Sequence, residues 1–338
     1  FEIPNDTLFN KQWALHNTGQ TGGLPDADID APEAWDIQQG SNQVVIAILD
    51  SGVDYTHPDL SANIWRNTGE IPNNNIDDDN NGYVDDDKGW DFANNDNDPM
   101  DSDSHGTHVA GTAAALTNNN LGVAGICRNC RIMALRIYDP ITKSGTVSAL
   151  IYSVNNGARI ISNSWGERFY DPLMEVGFRF VAANNVLAVA AAGNTRTGRR
   201  ATPASYDDVL SVAGTDHNDR KASFTSYGSW VDVAAPGASI LSTVPLPSGY
   251  VPLSGTSMST PHVSGIAGLL LSRNPLLRAV DLTNILRSTT DRLSSLEFIG
   301  TGRVNAHQAL LMASQNDIPS AELDSSLDDR PIVSGILE

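Results

Sequence analysis

The chain has 338 residues, of which 40% are hydrophobic, and a formal net charge of −19. This length suits one large domain or two ordinary ones, and the strong negative charge argues against nucleic acid or an anionic membrane surface as a partner. No apolar run approaches the roughly 18 residues that a membrane-spanning helix needs.

Short β-branched and apolar runs recur along the chain and predict buried strands at residues 44–50, 131–138, 159–165, 185–194, 209–215 and 231–237. Several are apolar on successive residues, which is typical of strands covered on both faces. Helix-like segments occur at residues 108–116, 146–158, 173–185 and 265–271. This alternation predicts an α/β fold with a predominantly parallel, twisted sheet flanked by helices on both faces.

Two regions fall outside the alternation of strands and helices: residues 67–104 and the acidic tail after about Ser314. Residues 67–104 are rich in Asp and Asn, and between Asp77 and Asp103 there are eleven aspartates but only one basic residue, Lys88. Such a segment is either a solvated acidic surface or a cation site. We expect one domain over residues 1–313, including this insertion, and an acidic extension over residues 314–338.

The two cysteines stand in one Cys-x-x-Cys sequence, Cys127 to Cys130. A lone pair does not supply the four ligands of a structural zinc site. A redox pair, a small disulfide loop and two free thiols remain open. The disulfide is favoured by the extracytoplasmic setting that the motifs below suggest.

Four side chains that could take part in catalysis stand at the ends of predicted elements. Asp50 and Asn194 end two strands, His105 stands just before a helix, and Ser257 stands at the start of another. In open α/β sheets, active sites gather at the carboxyl ends of the strands. Taken singly, the same residues are also explained as a helix cap (Ser257), a surface histidine (His105) or a turn residue (Asn194).

Read together, the motifs resemble the subtilisin-like serine proteases, or subtilases. They are DSGVD with Asp50, HGTHVAG with His105, AAGN with Asn194 and GTSMSTPHVSG with Ser257. The order Asp, His, Ser is that of subtilisin and differs from chymotrypsin and the α/β-hydrolases. The resemblance covers roughly residues 1–313 and is nearest to the calcium-rich, thermitase-like branch. The loop NNNIDDDNNGYVDD is also similar to one in apicomplexan SUB-type proteases.

The resemblance implies a serine endopeptidase and assigns each residue a role. Ser257 is the nucleophile, His105 the general base, and Asp50 the carboxylate that orients His105. Asn194 and the main-chain N–H of Ser257 are the oxyanion donors. Pro261 is expected in the first turn of the helix that starts near Ser257, where proline is tolerated.

The resemblance also implies a groove that binds peptide as an added β-strand. The protein strand that would pair with the peptide ends at Gly166. Glu167 follows it where many family members have a second glycine, so the shape of the upper subsites is left open. Arg196, Arg199 and Arg200 follow Asn194 and either favour acidic substrates or are solvated loop residues. The implied groove residues are Ser164, Trp165 and Gly166 at the edge, and Ala191, Ala192 and Gly193 in the S1 wall.

Two calcium sites follow from the resemblance. The first would tie the N-terminus to the domain, and the second stands just before His105, with an asparagine at 94 in place of an acidic ligand. The first set is Asp6, Asp59, Asn119 and the carbonyl oxygens of Leu116, Leu121 and Val123. The second set is Asp91, Asn94, Asp96, Asp98 and the carbonyl oxygen of Met100.

A third calcium site follows from the residues themselves. Asp77, Asp79, Asn81 and the carbonyl of Tyr83 have the D-x-D-x-[DN]-G spacing of an EF-hand loop. The twelfth position is Lys88 rather than Glu, so Asp86 or Asp85 must close the shell. A solvated acidic face is the alternative.

We therefore expect a secreted enzyme, or one in a secretory-compartment lumen, that binds two to three Ca²⁺ ions and acts on polypeptides. The sequence begins at Phe1 without Met or a signal peptide, which suggests a processed form with an N-terminal prosegment as inhibitor. We expect a monomer. The rival is a catalytically silent, calcium-dependent adhesion or scaffolding module, against which the four intact catalytic residue types argue.

Overall fold

The computed structural model describes residues 1–139, 141–295 and 297–314. The predicted acidic extension lies outside these residues, except for Ser314 at the end of the last helix. The main sheet has seven strands in the order β2-β3-β1-β4-β5-β6-β7. The strands are β1 (Val45–Asp50), β2 (Gly89–Asp91), β3 (Arg131–Arg136), β4 (Ile160–Asn163), β5 (Leu187–Ala191), β6 (Val209–Thr215) and β7 (Val233–Pro236).

Every strand pair in this sheet is parallel. A separate antiparallel hairpin consists of β8 (Ile240–Thr243) and β9 (Tyr250–Leu253). The helices are α1 (Ala31–Trp35), α2 (His105–Ala114), α3 (Lys143–Asn155), α4 (Pro172–Ala183), α5 (Thr256–Arg273), α6 (Ala279–Ser288) and α7 (Ala306–Ser314).

The sheet is covered by helices on both faces, as predicted. All six residues of β1 are buried. Ile48 belongs to the larger core, together with Ile266 of α5, whereas its neighbour Leu49 belongs to the core that includes Phe178 of α4. Because successive strand residues point to opposite faces, an uninterrupted apolar run is what a sheet between two helical layers requires.

Strand β1 lies between β3 and β4; strands β2 and β3 lie on one side of it, and β4 to β7 follow on the other. The strand order therefore reverses beside β1, which creates a crevice at the carboxyl ends of β1 and β4. Leu49 of β1 pairs with Asn163 of β4, so Asp50 and Ser164 follow at the same edge of the sheet. This edge is where the candidate site lies.

Helix α2 is held in place by the hairpin. The Ser242 hydroxyl of β8 donates to the main-chain oxygen of His108, and the Thr243 hydroxyl donates to that of Thr107, both at 2.8 Å. Nine of the ten residues of α2 are buried, and only His105, the first, is partly exposed. The helix thus presents one histidine at the carboxyl edge of the sheet.

Cys127 and Cys130 form a disulfide, which is one of the three states that the sequence left open. Both are fully buried. A Cβ atom on Gly268 of α5 would lie 2.9 Å and 3.0 Å from the two sulfur atoms, so the disulfide packs directly on the backbone of this helix. No helix in the described ranges is both long enough and apolar enough to cross a membrane.

Candidate active site

Asp50 and His105 lie within ion-pair distance of each other at the carboxyl ends of the strands. The distance between His105 Nδ1 and Asp50 Oδ1 is 2.6 Å. Asp50 is completely buried, whereas the His105 side chain is 27% exposed. Burial acts to lower the pKa of His105, but the charge of Asp50 and its hydrogen bond outweigh burial, so the pKa lies above its ordinary value of 6.5.

A buried hydrogen-bond network joins the two elements that carry this pair. The Ser51 hydroxyl accepts from the N–H of Gly106 and donates to Asp101 Oδ1, both at 2.9 Å. Asp101 Oδ2 in turn accepts from the N–H of Thr107 at 2.9 Å and from its hydroxyl. Sequence reasoning did not identify Asp101. The only feature of the sequence that could have indicated it is its position four residues before His105.

Ser257 is the second residue of α5 and lies against the end of β4. Its hydroxyl donates to the main-chain oxygen of Ser164 at 2.8 Å, and the Ser164 hydroxyl donates to the main-chain oxygen of Ser257, also at 2.8 Å. Because Ser164 directly follows the strand that pairs with β1, these contacts bring Ser257 to the sheet edge that carries Asp50.

The side-chain amide of Asn194 is oriented by the start of α5. Its Oδ1 accepts from the N–H of Thr256 at 2.9 Å and from the Thr256 hydroxyl at 3.1 Å. Within the part of the chain that the structure describes, its Nδ2 has no hydrogen-bond partner. A Cβ atom on Gly255 would lie 3.3 Å from this Nδ2, so the glycine keeps space beside the donor free.

The expectation that Pro261 lies in the first turn of the helix is wrong. Helix α5 begins at Thr256, and Pro261 is its sixth residue, inside the continuous helix. The proline therefore removes a main-chain donor that the helix would otherwise use.

The predicted groove edge has an open main chain. Among the described residues, neither the N–H nor the carbonyl of Trp165 or Gly166 has a hydrogen-bond partner. The edge ends at Glu167, whose N–H donates to the oxygen of Thr202 at 2.7 Å and whose oxygen accepts from the N–H of Thr202 at 3.0 Å. An unpaired strand edge of this kind can pair with an extended peptide.

The predicted groove edge and the predicted S1 wall face each other across a small side chain. Cβ atoms on Gly166 and Gly193 would lie 4.0 Å and 3.8 Å from Cβ of Ala201. Sequence reasoning did not identify Ala201, and no pattern in the sequence marks it. Ala191 and Ala192 are buried, so they contribute backbone rather than side chains to the wall. The loop arginines Arg196, Arg199 and Arg200 are exposed.

Two other histidines near the site are structural. The His108 ring, one turn after His105, lies 2.9 Å from the carbonyl oxygen of Ile240, and burial lowers its pKa to about 4. Burial also lowers the pKa of His262 to about 4, and its Nδ1 lies 2.8 Å from the carbonyl oxygen of Met258. Both rings are therefore neutral at pH 7. His108 connects α2 to β8, whereas the His262 contact lies within α5.

The first predicted calcium set is gathered around two buried carboxylates. Asp59 Oδ1 accepts from the Asn119 amide at 2.8 Å and its Oδ2 accepts from the N–H of Val123 at 3.0 Å. Asp6 Oδ2 accepts from the N–H of Asn118 at 2.9 Å, whereas its Oδ1 is buried without a partner. A buried carboxylate oxygen without a donor suits a cation. The main chain of Leu116 bonds to that of Asp59, and Leu121 bonds to Asn119.

The second predicted set is arranged differently. Asp91 Oδ2 accepts from Arg136 Nη1 at 2.6 Å and from the Asn94 amide at 2.8 Å. Asp98 Oδ1 accepts from the Tyr55 hydroxyl at 2.8 Å and the N–H of Met100 at 3.2 Å. The carboxylates of Asp91, Asp96 and Asp98 do not form a compact group of ligand atoms within the described residues. The arginine on its most buried carboxylate competes with a cation for Asp91, and the second site stays a prediction.

The third predicted set contains the one compact acidic group found in the described part of the chain. It consists of Glu70, Asp77 and Asp79, whose ligand atoms lie within 4.8 Å of one another. Glu70 was not identified from the sequence. It is nearly buried and accepts main-chain N–H groups of the loop from Asp78, Asp79 and Asp85. It thus places a glutamate beside the loop, whereas the EF-hand spacing has Lys88 at the position of the glutamate ligand.

The other predicted members of the third set surround this group. The Asn81 amide donates to Asp79 Oδ2 at 3.1 Å and to Asp86 Oδ2 at 3.0 Å, and the N–H of Tyr83 donates to Asn81 Oδ1. Asp86 is fully buried and also accepts from the Tyr152 hydroxyl. Its oxygens are therefore held by neutral donors, and it lies outside the group of three.

Comparisons with known proteins agree with this geometry. The profile of the Subtilase family matches residues 41–309. Thermitase of Thermoactinomyces vulgaris is 41% identical over 287 residues, covering 83% of this chain and 93% of the relative. The thermophilic serine proteinase of Bacillus sp. (strain AK1) is 39% identical over 311 residues, covering 90% of this chain and 71% of the relative. A solved protease structure from Pseudoalteromonas arctica superimposes with a TM-score of 0.79 at 29% identity, covering 92% of this chain and all of that one.

Proposed function

Because the chain belongs to the subtilase family of serine proteases, we propose that Asp50, His105 and Ser257 form its catalytic triad and that it is a secreted, calcium-dependent endopeptidase. The observation that carries the proposal is the 2.6 Å contact between buried Asp50 and partly exposed His105, at the sheet edge where Ser257 also lies. The proposed catalytic domain is residues 1–313, and residues 314–338 are an extension.

In the proposed reaction, the Ser257 hydroxyl turns from Ser164 to Nε2 of His105 and attacks the scissile carbonyl. His105 takes the hydroxyl proton as general base and gives it to the leaving amine. Asp50 holds the Nδ1–H tautomer and stabilises the imidazolium that forms between the two transfers. Water then attacks the acyl-enzyme by the same route, with His105 as base again, and releases the acid product and free Ser257.

The negative oxygen of each tetrahedral intermediate needs donors already in place. Asn194 meets this requirement because Thr256 fixes its Oδ1, which leaves Nδ2 as the free donor. The N–H of Ser257 is the second donor, and it stands at the positive end of the α5 dipole. Such preorganised donors stabilise the transition state more than the ground state.

The proposed substrates are polypeptides that pair with the open edge from Ser164 to Gly166. The P1 side chain enters between Gly166 and Gly193, with Ala201 between the walls. The exposed arginines after Asn194 either contact acidic substrate residues or remain solvated. A peptide-library cleavage profile that is indifferent to acidic residues would exclude the first role.

The proposed calcium ions occupy the first and third sets. At the first set, a cation satisfies the buried Asp6 Oδ1 beside Asp59 and fixes the N-terminal segment to the loop that carries Asn119. At the third set, a cation neutralises the mutual repulsion of Glu70, Asp77 and Asp79. When bound, calcium supplies stability rather than reaction chemistry, since neither set contains a triad residue.

Three further features follow from family membership and are proposed on that basis: a secretory-compartment or extracellular location, an N-terminal prosegment that inhibits the enzyme before processing, and a monomeric enzyme. The disulfide between Cys127 and Cys130 supports the location, because such bonds persist in oxidising compartments.

The test of the proposed function is Ser257→Ala. We expect the purified variant to keep its fold and its calcium-dependent melting temperature, to lose peptide hydrolysis, and to lose labelling by a serine-directed fluorophosphonate. A wild-type protein that binds calcium but takes no label would instead support the silent adhesion or scaffolding module.

A further inference from the structure

The main-chain oxygen of Ser257 lacks its helical hydrogen bond. In an α-helix, the N–H of each residue donates to the carbonyl four residues earlier. The residue four positions after Ser257 is Pro261, which lies inside α5 and has no N–H. The ring of such a proline also crowds that same carbonyl. The residue that carries the candidate nucleophile therefore has a carbonyl for which the helix offers no donor.

The hydroxyl of Ser164 takes the place of this missing donor. It donates to the main-chain oxygen of Ser257 at 2.8 Å. The reverse contact, from the Ser257 hydroxyl to the main-chain oxygen of Ser164, is also 2.8 Å. Ser164 is 2% exposed, so water has little access to replace its hydroxyl if that is removed. The two serines thus form a reciprocal pair between the end of β4 and the first turn of α5.

We infer that Ser164 is a positioning residue for the reaction, whose hydroxyl fixes the peptide unit of Ser257 and thereby the direction from which Ser257 meets His105. The inference rests on the proposed function, because it requires Ser257 to be the nucleophile. Pro261 creates the need for Ser164, since an ordinary residue at 261 would supply the donor within the helix. The role belongs to the side chain of Ser164, while its main chain belongs to the groove edge.

The structure offers a matched control on the same two elements. Ser264 of α5 lies with its hydroxyl 3.0 Å from the hydroxyl of Ser162 in β4. This contact also joins α5 to β4 through a buried hydroxyl, but it lies two turns beyond Ser257 and touches none of the proposed catalytic groups. Ser264→Ala therefore reports what loss of a β4–α5 hydroxyl contact does to stability alone.

The experiment is a double-mutant cycle of Ser164→Ala and Pro261→Ala, with Ser264→Ala as the control. For each variant, kcat and KM on one peptide substrate, the rate of fluorophosphonate labelling and the melting temperature are measured. We expect Ser164→Ala to lower kcat and the labelling rate by about tenfold, the size expected for a buried acceptor left without its donor, with KM within about twofold. We expect Ser264→Ala to change the melting temperature but to keep kcat within about twofold.

Pro261→Ala supplies a main-chain N–H opposite the Ser257 carbonyl, so Ser164→Ala should cost less than about threefold in kcat in that background. An equal loss in both backgrounds, or a similar loss of kcat in Ser264→Ala, would overturn the inference. If Pro261→Ala does not fold, the comparison of Ser164→Ala with Ser264→Ala decides alone, since equal kcat losses contradict the positioning role. Activity retained in Ser257→Ala would refute the proposed function itself, whereas an inactive Ser257→Ala beside a fully active Ser164→Ala would refute only this inference.

Discussion

Glu70 provides the sharpest test of the proposed calcium chemistry, because only the fold brings it to the loop that carries Asp77 and Asp79. We predict that Glu70→Gln removes one calcium ion from the protein at moderate calcium concentrations. The glutamine keeps the side-chain length and one acceptor oxygen, so the loop retains bonds from the N–H groups of Asp78 and Asp79. What the substitution removes is one of three negative charges whose ligand atoms lie within 4.8 Å of one another.

The expected loss of calcium affinity can be worked out from that distance. Two unit charges 4.8 Å apart repel by about 1 kcal/mol in bulk water and by about 3.5 kcal/mol at an effective dielectric constant of about 20. A calcium ion at about 2.4 Å from a carboxylate oxygen gains about 3.5 kcal/mol, even at the dielectric constant of water. Because water replaces part of the lost contact, we expect the Kd of this site to rise roughly 10- to 300-fold.

The assay is calorimetric titration of calcium-stripped protein, with thermal unfolding in calcium and in EDTA. All variants carry Ser257→Ala, so that self-cleavage does not contribute. At a calcium concentration of about 100 times the Kd, one filled site stabilises the fold by about 2.7 kcal/mol, a shift in melting temperature on the order of 5 °C. A 10- to 300-fold rise in Kd should remove from about half to nearly all of that increment in Glu70→Gln.

The control is Asp78→Asn, which removes a charge from the same loop. Asp78 stands between two members of the acidic group, but its carboxylate accepts from the N–H of Ile71 and the amide of Asn74 instead. We expect this variant to keep the wild-type stoichiometry. The reasoning is refuted if Glu70→Gln and Asp78→Asn bind calcium with the same stoichiometry and affinity, or if EDTA leaves the wild-type melting temperature unchanged.

Three further predictions concern the triad and its neighbours. Asn194→Ala should lower kcat on the order of 10²- to 10³-fold with KM little changed, the range known for the amide donor of subtilisin itself, and a smaller loss in steady-state kinetics would remove Asn194 from the oxyanion site. Because Asp50 holds the pKa of His105 above 6.5 and the base must be neutral, kcat/KM should rise with pH through a midpoint above 6.5; a midpoint below 6.5 in the pH profile would contradict the pairing. Met258 directly follows Ser257 and is buried, so its conversion by peroxide to a polar sulfoxide should disturb the nucleophile and inactivate the enzyme. Inactivation should rise in step with sulfoxide measured by mass spectrometry, and Met258→Leu should resist; equal inactivation of both would point to another target.

The sequence predicted the central sheet because its strands are covered on both faces. Residues 44–50 and 209–215 are the kind of runs that a sheet covered by helices on both faces can bury, and they form β1 (Val45–Asp50) and β6 (Val209–Thr215), both inside the sheet. Strand β2 was not predicted, since three residues, Gly89–Asp91, are too few to show a period. The pairing of β2 with β3 depends instead on the close approach of the two main chains at Gly89, where a Cβ atom would lie 1.8 Å from the carbonyl oxygen of Ala134.

The candidate site was predictable where chemistry restricts the residue type within a short motif. Asp50, His105, Asn194 and Ser257 each stand in such a motif. In the structure, Asp50 ends β1, His105 begins α2, Ser257 is the second residue of α5, and Asn194 follows the end of β5 by three residues. Glu70 and Ala201 were missed because their roles depend on contacts across a loop or a groove rather than on spacing. The position of Pro261 was misjudged, because a helix that begins at Thr256 completes its first turn at about Ser259 and Pro261 lies beyond it.

The most direct test of the catalytic proposal is to locate the fluorophosphonate adduct by peptide mass spectrometry in the wild-type protein and in His105→Ala. The proposed triad predicts one adduct, on Ser257, and a labelling rate that falls by several orders of magnitude when His105 is removed. An adduct on a different residue, or labelling of Ser257 at an undiminished rate without His105, would contradict it.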